Sequence, residues 1–357
     1  MDEKTIRQNR KAEHIKLALQ SHSSLDSDFD ELSLIHRSLP EAGIEDIQLQ
    51  TRIGSLMLDY PIFINAMTGG SEHSGEINAS LAEAARETGI AMAVGSQHAG
   101  IRNEELAHTF KVVRKKNPNG LVFANVGADV PMDYALIAID MLGADALQVH
   151  LNVPQELVMP EGERNFTNIL TKLEKMSAKL QVPVIVKETG FGMSMETLLQ
   201  LRDAGIQYVD LGGRGGTNFI QIENERRRKH DYDYLKEWGQ STVISLLEAQ
   251  SVLGELTIIA SGGIRNPLDA VKCFSLGATA AGIAGPFLKI LHDQGLPGLI
   301  EELETWKEHL KMLLLLQGAK SISNLQSFPI IARGHVREWC EARGVDCNGL
   351  GRRQPFS

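Results

Sequence analysis

Residues 256–286 read LTIIASGGIRNPLDAVKCFSLGATAAGIAGP, and they contain one complete strand–helix–strand unit. The apolar run Leu256–Ser261 predicts a buried strand, and Thr279–Ala284 predicts the next one. Between them, two glycines and Pro267 mark a tight turn into a helix that we expect to end near Leu276. A strand joined to the next strand through a helix is the unit from which parallel sheets are built.

The same alternation begins near residue 60 and continues through this unit. The other predicted strands are Pro61–Asn65, Ala91–Ser96, Leu121–Val126, Ala146–Asn152, Val182–Lys187 and Tyr208–Leu211. The other predicted helices are Gly75–Thr88, Met132–Leu142, Asn165–Leu180, Met195–Ala204 and Gly239–Leu253. Continuous apolar strands alternating with helices predict a parallel sheet covered on both faces, and eight such strands match a TIM (β/α)8 barrel. The rival fold is a doubly wound open sheet. A dinucleotide-binding sheet of this kind normally has a GxGxxG motif after an early strand, and the chain lacks this motif.

The barrel pattern divides the chain into three parts. We expect an N-terminal arm over 1–58, the barrel over 59–296, and a C-terminal helix and tail over 297–357. In the arm, Thr5–Leu19 is predicted to form a basic helix. The last part is predicted to be helical over Pro297–Gln317 and irregular afterwards, with a solvated tail at 352–355. The connection Gly212–Trp238 is long and weakly periodic, which is typical of a functional or disordered loop.

The composition limits the partners of the protein. The formal net charge is −9, whereas a nucleic-acid-binding protein normally carries a basic surface. The basic run Arg226–His230 is interpreted as a solvated loop, because acidic residues follow it directly. No apolar run reaches the length of a membrane-spanning helix, and the N-terminus lacks the apolar core of a signal peptide. We therefore expect neither nucleic acid nor a membrane as a partner.

The cysteines predict a reducing compartment. Cys273, Cys340 and Cys347 are odd in number and form no CxxC pair. A disulfide framework and a structural zinc site are therefore not expected. The default interpretation is a reduced, cytoplasmic protein.

Two glycine-containing turns follow the seventh and eighth predicted strands. Ser261–Arg265 and Ala284–Pro286 lie at the positions where TIM barrels frequently bind phosphate. Glycine lets the backbone approach a phosphate, and the free N–H groups at the start of a helix point towards it. The alternative is that these glycines only form tight turns.

The fifth and sixth predicted strands also end in unusual residues. Gly212–Thr217 contains four glycines, which suits backbone packed against a flat or anionic ligand, although a flexible hinge is the alternative. Lys187 ends an otherwise apolar strand and would place a cation in the site. Beside a flavin it would lie near N1 and C2=O and favour the anionic reduced form. A surface pair with Glu188 is the alternative.

The fourth predicted strand ends in a cluster of polar residues. His150 and Asn152 are followed by Gln155 and Glu156. A single carboxylate among neutral groups suits Mg²⁺ shared with substrate phosphates. Zinc would require a second His or Cys nearby. The alternative for His150 is a purely structural role.

The first three predicted strands end in amides, hydroxyls and glycines. These segments are Asn65–Gly70, Gly95–His98 and Asn125–Gly127. Such groups suit hydrogen bonds to the edge of a heterocycle better than nucleophilic catalysis. The chain has no GxSxG elbow, and no cysteine lies at a strand end.

Together these features resemble an FMN-dependent TIM barrel, and in detail the type 2 isopentenyl-diphosphate isomerase family. The resemblance runs from residue 10 to about 335. The motifs that carry it are Arg10-Lys11 with His14, Asn65–Gly70, His150–Asn152 with Gln155-Glu156, Gly215–Asn218 and Ser261–Arg265. SGGIR-like turns recur in other flavin barrels, whereas the N-terminal Arg-Lys-x-x-His and the His-x-Asn-x-x-Gln-Glu segment are far more specific.

The resemblance implies interconversion of isopentenyl and dimethylallyl diphosphate with FMN, NADPH as its reductant, and Mg²⁺. The implied substrate contacts are Arg10, Lys11, His14, Ser96, Gln97, His98, Asn152 and Gln155. The implied FMN contacts are Ala66, Met67, Thr68, Ser96, Asn125, Lys187, Thr217, Gly262, Gly263, Ile264, Arg265, Ala284 and Gly285. Gln155 and His150 are assigned to catalysis, and Glu156 to Mg²⁺. We expect a homo-oligomer, a tetramer or larger, in which a neighbouring subunit could supply Arg10 and Lys11.

The chemistry of this reaction agrees with the residues. The substrate diphosphate needs cations despite the net charge of −9, and the basic arm and Mg²⁺ supply them locally. No strand end offers a paired carboxylic acid and base, so we hypothesise that reduced FMN takes part in proton transfer, with Gln155 orienting or relaying.

We weighed three rival functions against the sequence. A 2-hydroxy-acid oxidase needs a His base, which is missing beside Ser261–Arg265. A barrel like inosine-monophosphate dehydrogenase needs a cysteine after the sixth strand, and Gly212–Trp238 has none. A non-catalytic sensor would bind FMN or a diphosphate without turnover.

Overall fold

The structure is a computed structural model that describes residues 27–227 and 229–355. The helix predicted over Thr5–Leu19 lies outside the described residues. The strands are β1 (Leu32–Leu34), β2 (Thr51–Ile53), β3 (Leu56–Leu58), β4 (Ile62–Ile64), β5 (Ala91–Ala93), β6 (Val122–Gly127), β7 (Ala146–Leu151), β8 (Val184–Glu188), β9 (Tyr208–Asp210), β10 (Thr257–Ser261), β11 (Ala280–Ile283) and β12 (Ile330–Ala332).

Helices follow the barrel strands and continue to the C-terminus. They are α1 (Glu72–Thr88), α2 (His98–Arg102), α3 (His108–Lys116), α4 (Met132–Leu142), α5 (Val153–Val158), α6 (Ile169–Lys179), α7 (Met195–Asp203), α8 (Phe219–Glu225), α9 (Thr242–Glu248), α10 (Pro267–Ser275), α11 (Gly285–Gln317), α12 (Ile322–Leu325), α13 (Gly334–Arg343) and α14 (Cys347–Gly351).

Strands β4 to β11 form a closed parallel barrel, and β11 pairs with β4 to close it. The predicted TIM barrel is therefore confirmed, and each of the eight predicted strands is present. The apolar runs are continuous because the strands are covered on both faces; β6, for example, is buried along its whole length. Phe63 and Phe123 pack with ring centroids 5.6 Å apart and are both fully buried.

Local signals account for the helix boundaries. The Ser71 hydroxyl accepts a hydrogen bond from the Ser74 N–H at the start of α1, and Asn266 caps α10 in front of Pro267. Helix α4 ends at Gly143, whose φ of 53° is the left-handed conformation that glycine adopts without strain. Because all eight barrel strands are parallel, their carboxyl ends meet at one face.

The segments before and after the barrel pack together on its outside. Strand β1 pairs antiparallel with β12, and Lys272 of α10 donates to the Phe29 carbonyl oxygen over 2.7 Å. The prediction of irregular structure after residue 317 is wrong, because this segment holds α12, β12, α13 and α14. Helix α11 also starts earlier than predicted, at Gly285, and is interrupted at Gly295 just before Pro297.

The prediction for the cysteines and the C-terminal tail needs correction. Cys340 and Cys347 form a disulfide, because Gly344 ends α13 in the left-handed conformation and turns the chain back on itself. Cys273 is free and buried. The tail is not fully solvated, since the half-buried Arg353 donates to the Ser275 carbonyl oxygen over 2.6 Å.

Within residues 27–227 and 229–355, no helix is long and apolar enough to cross a membrane.

Candidate active site

A cavity of about 1340 Å³ opens at the carboxyl ends of the barrel strands. This volume exceeds the roughly 300–1,000 Å³ of ordinary ligand pockets, so the cavity has room for a cofactor and a substrate together. The predicted site residues that line it are Ala66, Met67, Thr68, Ser96, His98, Asn125, His150, Asn152, Gln155, Glu156, Lys187, Thr217, Gly262, Gly263, Ile264, Arg265, Ala284 and Gly285.

The other four predicted substrate contacts are three residues near the N-terminus and Gln97. Arg10, Lys11 and His14 fall outside the described residues. Gln97 is fully buried; its Nε2 donates to the Ala138 carbonyl oxygen, and its Oε1 accepts from the Asn125 N–H, both over 2.9 Å. The structure does not bring this side chain to the cavity, which corrects its assignment as a substrate contact. Gln97 instead supports the wall.

Glycines let two loops meet at one end of the cavity. A Cβ atom on Gly262 would lie 1.9 Å from the Gly213 carbonyl oxygen, and one on Gly215 would lie 3.3 Å from Gly263 Cα. Only glycine permits this approach, and φ is positive at Gly215, Gly262 and Gly263. The loops after β9 and β10 therefore form one surface of backbone.

The start of α11 adds a second backbone surface. Gly285 is its first residue, and a Cβ atom there would meet no protein atom within 4 Å. The first N–H groups of a helix have no partner within the helix and attract anions. The buried hydroxyl of Thr68, also on the cavity wall, has no hydrogen-bond partner within the described part of the chain. An open glycine cradle and an unused buried donor fit a phosphorylated flavin.

Arg265 belongs to the same turn, but its side chain is already engaged. Its Nη1 lies 3.0 Å from Asp30 Oδ2, and its Nε lies 2.8 Å from Asp269 Oδ2. The two carboxylates raise the pKa of the guanidinium, the hydrogen bond to Asp30 most strongly. Arg265 therefore holds the turn against the segment before the barrel.

Lys187 and Asp210 form a buried ion pair at the bottom of the cavity. Lys187 Nζ lies 3.0 Å from Asp210 Oδ2 and 3.0 Å from Ser261 Oγ, while Ser261 Oγ donates to Asp210 Oδ1 over 2.5 Å. The Asp210 side chain has no exposed surface, and that of Lys187 is 10% exposed. This arrangement excludes the alternative of a surface pair with Glu188 and places a fixed cation on the cavity wall.

His150 is a neutral group on the neighbouring strand β7, where it pairs in register with Lys187 of β8. Burial lowers its pKa from 6.5 to about 4, with Asp129 opposing this shift and Lys187 adding to it. Its Nδ1 lies 2.8 Å from Asn125 Oδ1. At neutral pH the ring therefore presents one N–H group and one lone pair.

The segment after β7 forms the rim of the cavity. The Asn152 amide donates to Glu156 Oε1 over 2.9 Å, and the Glu163 N–H donates to Glu156 Oε2 over 2.8 Å. The two bonds hold the Glu156 carboxylate in place at the start of α5. Among the described residues, no three His, Cys, Asp or Glu side chains gather into a metal-binding cluster. A single carboxylate fits Mg²⁺ that takes its other ligands from water and phosphate.

A carboxylate that the sequence analysis did not single out lies behind Gln155. Gln155 Nε2 donates to Glu223 Oε1 over 3.0 Å, and Glu223 is fully buried. Arg226 contacts the other carboxylate oxygen and also pairs with Glu161, so the interpretation of Arg226 as solvated is wrong. The signal was available in the sequence, because Glu223 follows the apolar Ile220 and Ile222 in a segment expected to be a loop.

Comparison with known proteins defines the class. The family model described as FMN-dependent dehydrogenase matches residues 99–331, so the barrel and its cavity are those of this flavoprotein class. An isopentenyl-diphosphate delta-isomerase of Staphylococcus saprophyticus is 49% identical over 340 residues, covering 95% of this chain and 98% of that protein. The enzyme of the same name from Staphylococcus epidermidis is 48% identical over 342 residues, covering 96% and 98%. The chain belongs to the isopentenyl-diphosphate delta-isomerase family.

Solved structures of more distant proteins support the fold alone. A mandelate oxidase variant with a monooxide FMN adduct superposes with a TM-score of 0.62 at 19% identity, covering 90% of this chain and 92% of that one. A flavocytochrome b2 variant with benzoylformate superposes with a TM-score of 0.62 at 18% identity, covering 84% and 75%.

Proposed function

We propose that the protein interconverts isopentenyl diphosphate and dimethylallyl diphosphate, with FMN bound in the barrel cavity. The observation that carries the proposal is the cavity itself, which connects a glycine cradle for phosphate to the Gln155–Glu156 rim. The near full-length similarity to isomerases supports the same assignment. This activity belongs to isoprenoid biosynthesis.

The cradle residues would hold the FMN phosphate through backbone N–H groups. These are Gly262 and Gly263 after β10, and Ala284 and Gly285 at the start of α11. Lys187 would lie beside the isoalloxazine ring, where its positive charge stabilises anionic reduced flavin. Reduced FMN, when bound, would supply a proton donor and acceptor beside the alkene.

The rim residues would hold the substrate. Glu156 would bind Mg²⁺, which neutralises the diphosphate, and the predicted partners Arg10 and Lys11 would add positive charge. Asn152 would orient Glu156 through the 2.9 Å hydrogen bond, since such supporting bonds fix the position of a metal ligand.

The protein groups would position protons around the alkene. The Gln155 amide is neutral and cannot store a proton, whereas the Glu223 carboxylate behind it can accept one. We propose that Gln155 orients the reacting carbon and that Glu223 fixes the amide through the 3.0 Å hydrogen bond. His150, neutral at physiological pH, would contact the ligand through its ring without adding charge.

Three further proposals rest on the sequence. NADPH would reduce the flavin before the first turnover, because the isomerisation has no net redox change. A homo-oligomer, a tetramer or larger, would complete each substrate site if the N-terminal arm reaches a neighbouring subunit. The location would be cytoplasmic.

The alternative function is FMN-dependent oxidation of a 2-hydroxy acid. The test is to incubate the purified protein anaerobically with FMN, NADPH, Mg²⁺ and isopentenyl diphosphate, and to identify the product. We expect dimethylallyl diphosphate and no turnover of lactate, glycolate or mandelate. Oxidation of a hydroxy acid without isomerisation would overturn the proposal.

A further inference from the structure

Four buried polar side chains and the half-buried His150 form a continuous hydrogen-bonded relay inside the barrel, from Asp210 on β9 to His150 on β7. The Asn65 amide donates to Asp210 Oδ2 over 3.2 Å, and the Gln148 amide donates to Asn65 Oδ1 over 3.1 Å. The Asn125 amide donates to Gln148 Oε1 over 3.2 Å, and Asn125 Oδ1 lies 2.8 Å from His150 Nδ1. Buried polar networks of this kind are costly unless each member is satisfied.

The first members of the relay fix its direction. Asp210 Oδ2 accepts from Lys187 and Asp210 Oδ1 accepts from Ser261, so the carboxyl group presents acceptor atoms to Asn65. The Ala66 N–H donates to Asn65 Oδ1 over 2.8 Å, which independently identifies that atom as the oxygen. The orientation of a side-chain amide must be assigned from its hydrogen-bond partners. For Asn65, the Ala66 N–H can only donate and the Asp210 carboxyl oxygen accepts, so both partners assign the same orientation.

Each later amide inherits this direction. Because Asn65 Oδ1 is an acceptor, Gln148 must present its NH₂ group to it and its oxygen to Asn125. Asn125 must then present its NH₂ group to Gln148 and its oxygen to His150. The ring nitrogen that faces Asn125 is Nδ1, and it can bond to this oxygen only as an N–H donor.

We infer that Asp210 and the Ala66 N–H together, acting through Asn65, Gln148 and Asn125, set the neutral tautomer of His150, with the proton on Nδ1 and the lone pair on Nε2. Asp210 is thus a positioning residue for a ring on the cavity wall. Besides its contact with Lys187, it helps to fix the orientation and the tautomer of the His150 ring. For a neutral ring the tautomer follows from the hydrogen bonds, whereas its use in isomerisation rests on the proposed function.

Other groups near the ring shift the pKa of His150 in opposite directions. Asp129 and the Val126 carbonyl oxygen attract a proton to the ring, while Lys187 and His98 disfavour its positive form. Asp129 is exposed, so water around its carboxylate weakens its attraction for the ring, and no hydrogen bond among the described residues joins it to Nε2. Burial dominates and holds the ring neutral, with its pKa lowered to about 4. The direct bond to Asn125 then decides between the two neutral forms.

This tautomer changes what His150 can do. A lone pair on Nε2 accepts a hydrogen bond and cannot donate a proton, so the ring is an acceptor for an N–H or O–H group of the ligand. A general-acid role for neutral His150 would need the opposite tautomer. In this tautomer, His150 acts as a hydrogen-bond acceptor or as a base.

The test is ¹⁵N NMR of the histidine rings in the FMN-loaded protein, labelled only at histidine, near neutral pH. The spectrum of His150→Gln identifies the His150 signals by their loss. We expect a protonated Nδ1 and an unprotonated Nε2 in the unmodified protein. A protonated Nε2 would overturn the inference without reference to isomerase activity.

Two variants test the role of the relay. Gln148→Met removes the central link, and Asp210→Asn keeps the shape but gives the first position a donor. Both should convert the single Nδ1–H form of His150 into a mixture with the Nε2–H form, whereas Gln317→Met, the same change at a distant buried position, should not. If both relay variants keep a pure Nδ1–H form, the relay that begins at Asp210 does not set the tautomer. The second variant serves if the first fails to fold.

Discussion

Gln155 Nε2 and Glu223 Oε1 lie 3.0 Å apart, joining a polar amide on the cavity rim to a carboxylate with no exposed surface. The bond links α5 to α8, two helices that belong to different strand–helix connections of the barrel. Because Glu223 also contacts Arg226, its charge is balanced and its position fixed. The pair therefore gives the reacting face a rigid donor–acceptor geometry.

Replacing Glu223 tests this geometry. Glu223→Gln keeps the shape of the side chain but removes the charge that holds the Gln155 amide. Arg226 keeps its ion pair with Glu161 in this variant. We expect kcat to fall by about 10²-fold, the size of effect that a misplaced group near the reacting atoms can have. FMN affinity should stay unchanged. The exposed Glu255→Gln is the control; equal activity of the two variants would contradict the assignment.

Gly285→Ala tests the phosphate cradle without disturbing the fold. A Cβ atom at this position meets no protein atom within 4 Å, so the melting temperature of the FMN-free protein should not change. The added methyl group occupies space at the start of α11, so FMN should bind at least tenfold more weakly in a fluorescence titration. Gly43→Ala, in an open loop, is the matched control. Unaltered FMN affinity in Gly285→Ala would place the phosphate elsewhere.

Glu156→Gln tests the metal site. The Gln amide oxygen can still accept the hydrogen bond from Asn152, but the side chain loses the negative charge that Mg²⁺ requires. We expect the Mg²⁺ concentration for half-maximal activity to rise at least tenfold, together with a loss of most activity. The exposed Glu301→Gln should titrate like the unmodified protein. A magnesium titration of Glu156→Gln that matches the unmodified protein would show that the metal ligand is misplaced.

Glu188 predicts a pH dependence of stability. Burial raises its pKa from 4.5 to about 8, against hydrogen bonds such as that from the Phe191 N–H over 2.7 Å. The folded protein therefore keeps a proton that the unfolded chain has released. Its contribution to stability is present below about pH 4.5 and is lost as pH rises to about 8, by at most ~1.4 kcal/mol per pH unit.

Glu188→Gln removes this titration. The melting temperature of the variant should rise relative to the unmodified protein as the pH increases from 5 to 9. Glu174→Gln, at an exposed position, should show no such trend. A constant difference between Glu188→Gln and the unmodified protein across this range would mean that Glu188 is ionised in the folded state.

The barrel could be predicted from sequence because its signals are local and repeated. Each strand is a short apolar run, and each helix begins and ends at residues such as Pro267 and Gly143 that act on their own turn. The C-terminal segment was missed for the opposite reason. Strand β12 is only three residues long, and it exists because β1, some 300 residues earlier in the chain, pairs with it.

The site shows the same division between local and long-range information. Strand ends such as Lys187 and His150 line the cavity because the fold brings all carboxyl ends of the strands to one face. Gln97, although its neighbours Ser96 and His98 face the cavity, points into the wall and is used there by Asn125. Glu223 lies in helix α8, in a segment whose weak periodicity predicts a loop, and only the neighbouring Ile220 and Ile222 indicate that it is buried. The Asp210–His150 relay depends on four strands and has no sequence pattern of its own.

The most direct test of the central claim is proton exchange between solvent and substrate. The protein with reduced FMN and Mg²⁺ is incubated with isopentenyl diphosphate in D₂O under anaerobic conditions, and the recovered diphosphates are analysed by mass spectrometry and NMR. The account predicts conversion to dimethylallyl diphosphate with deuterium incorporated on carbon, and no net oxidation of the flavin. Unchanged isopentenyl diphosphate without deuterium, from protein that has bound FMN, would contradict it.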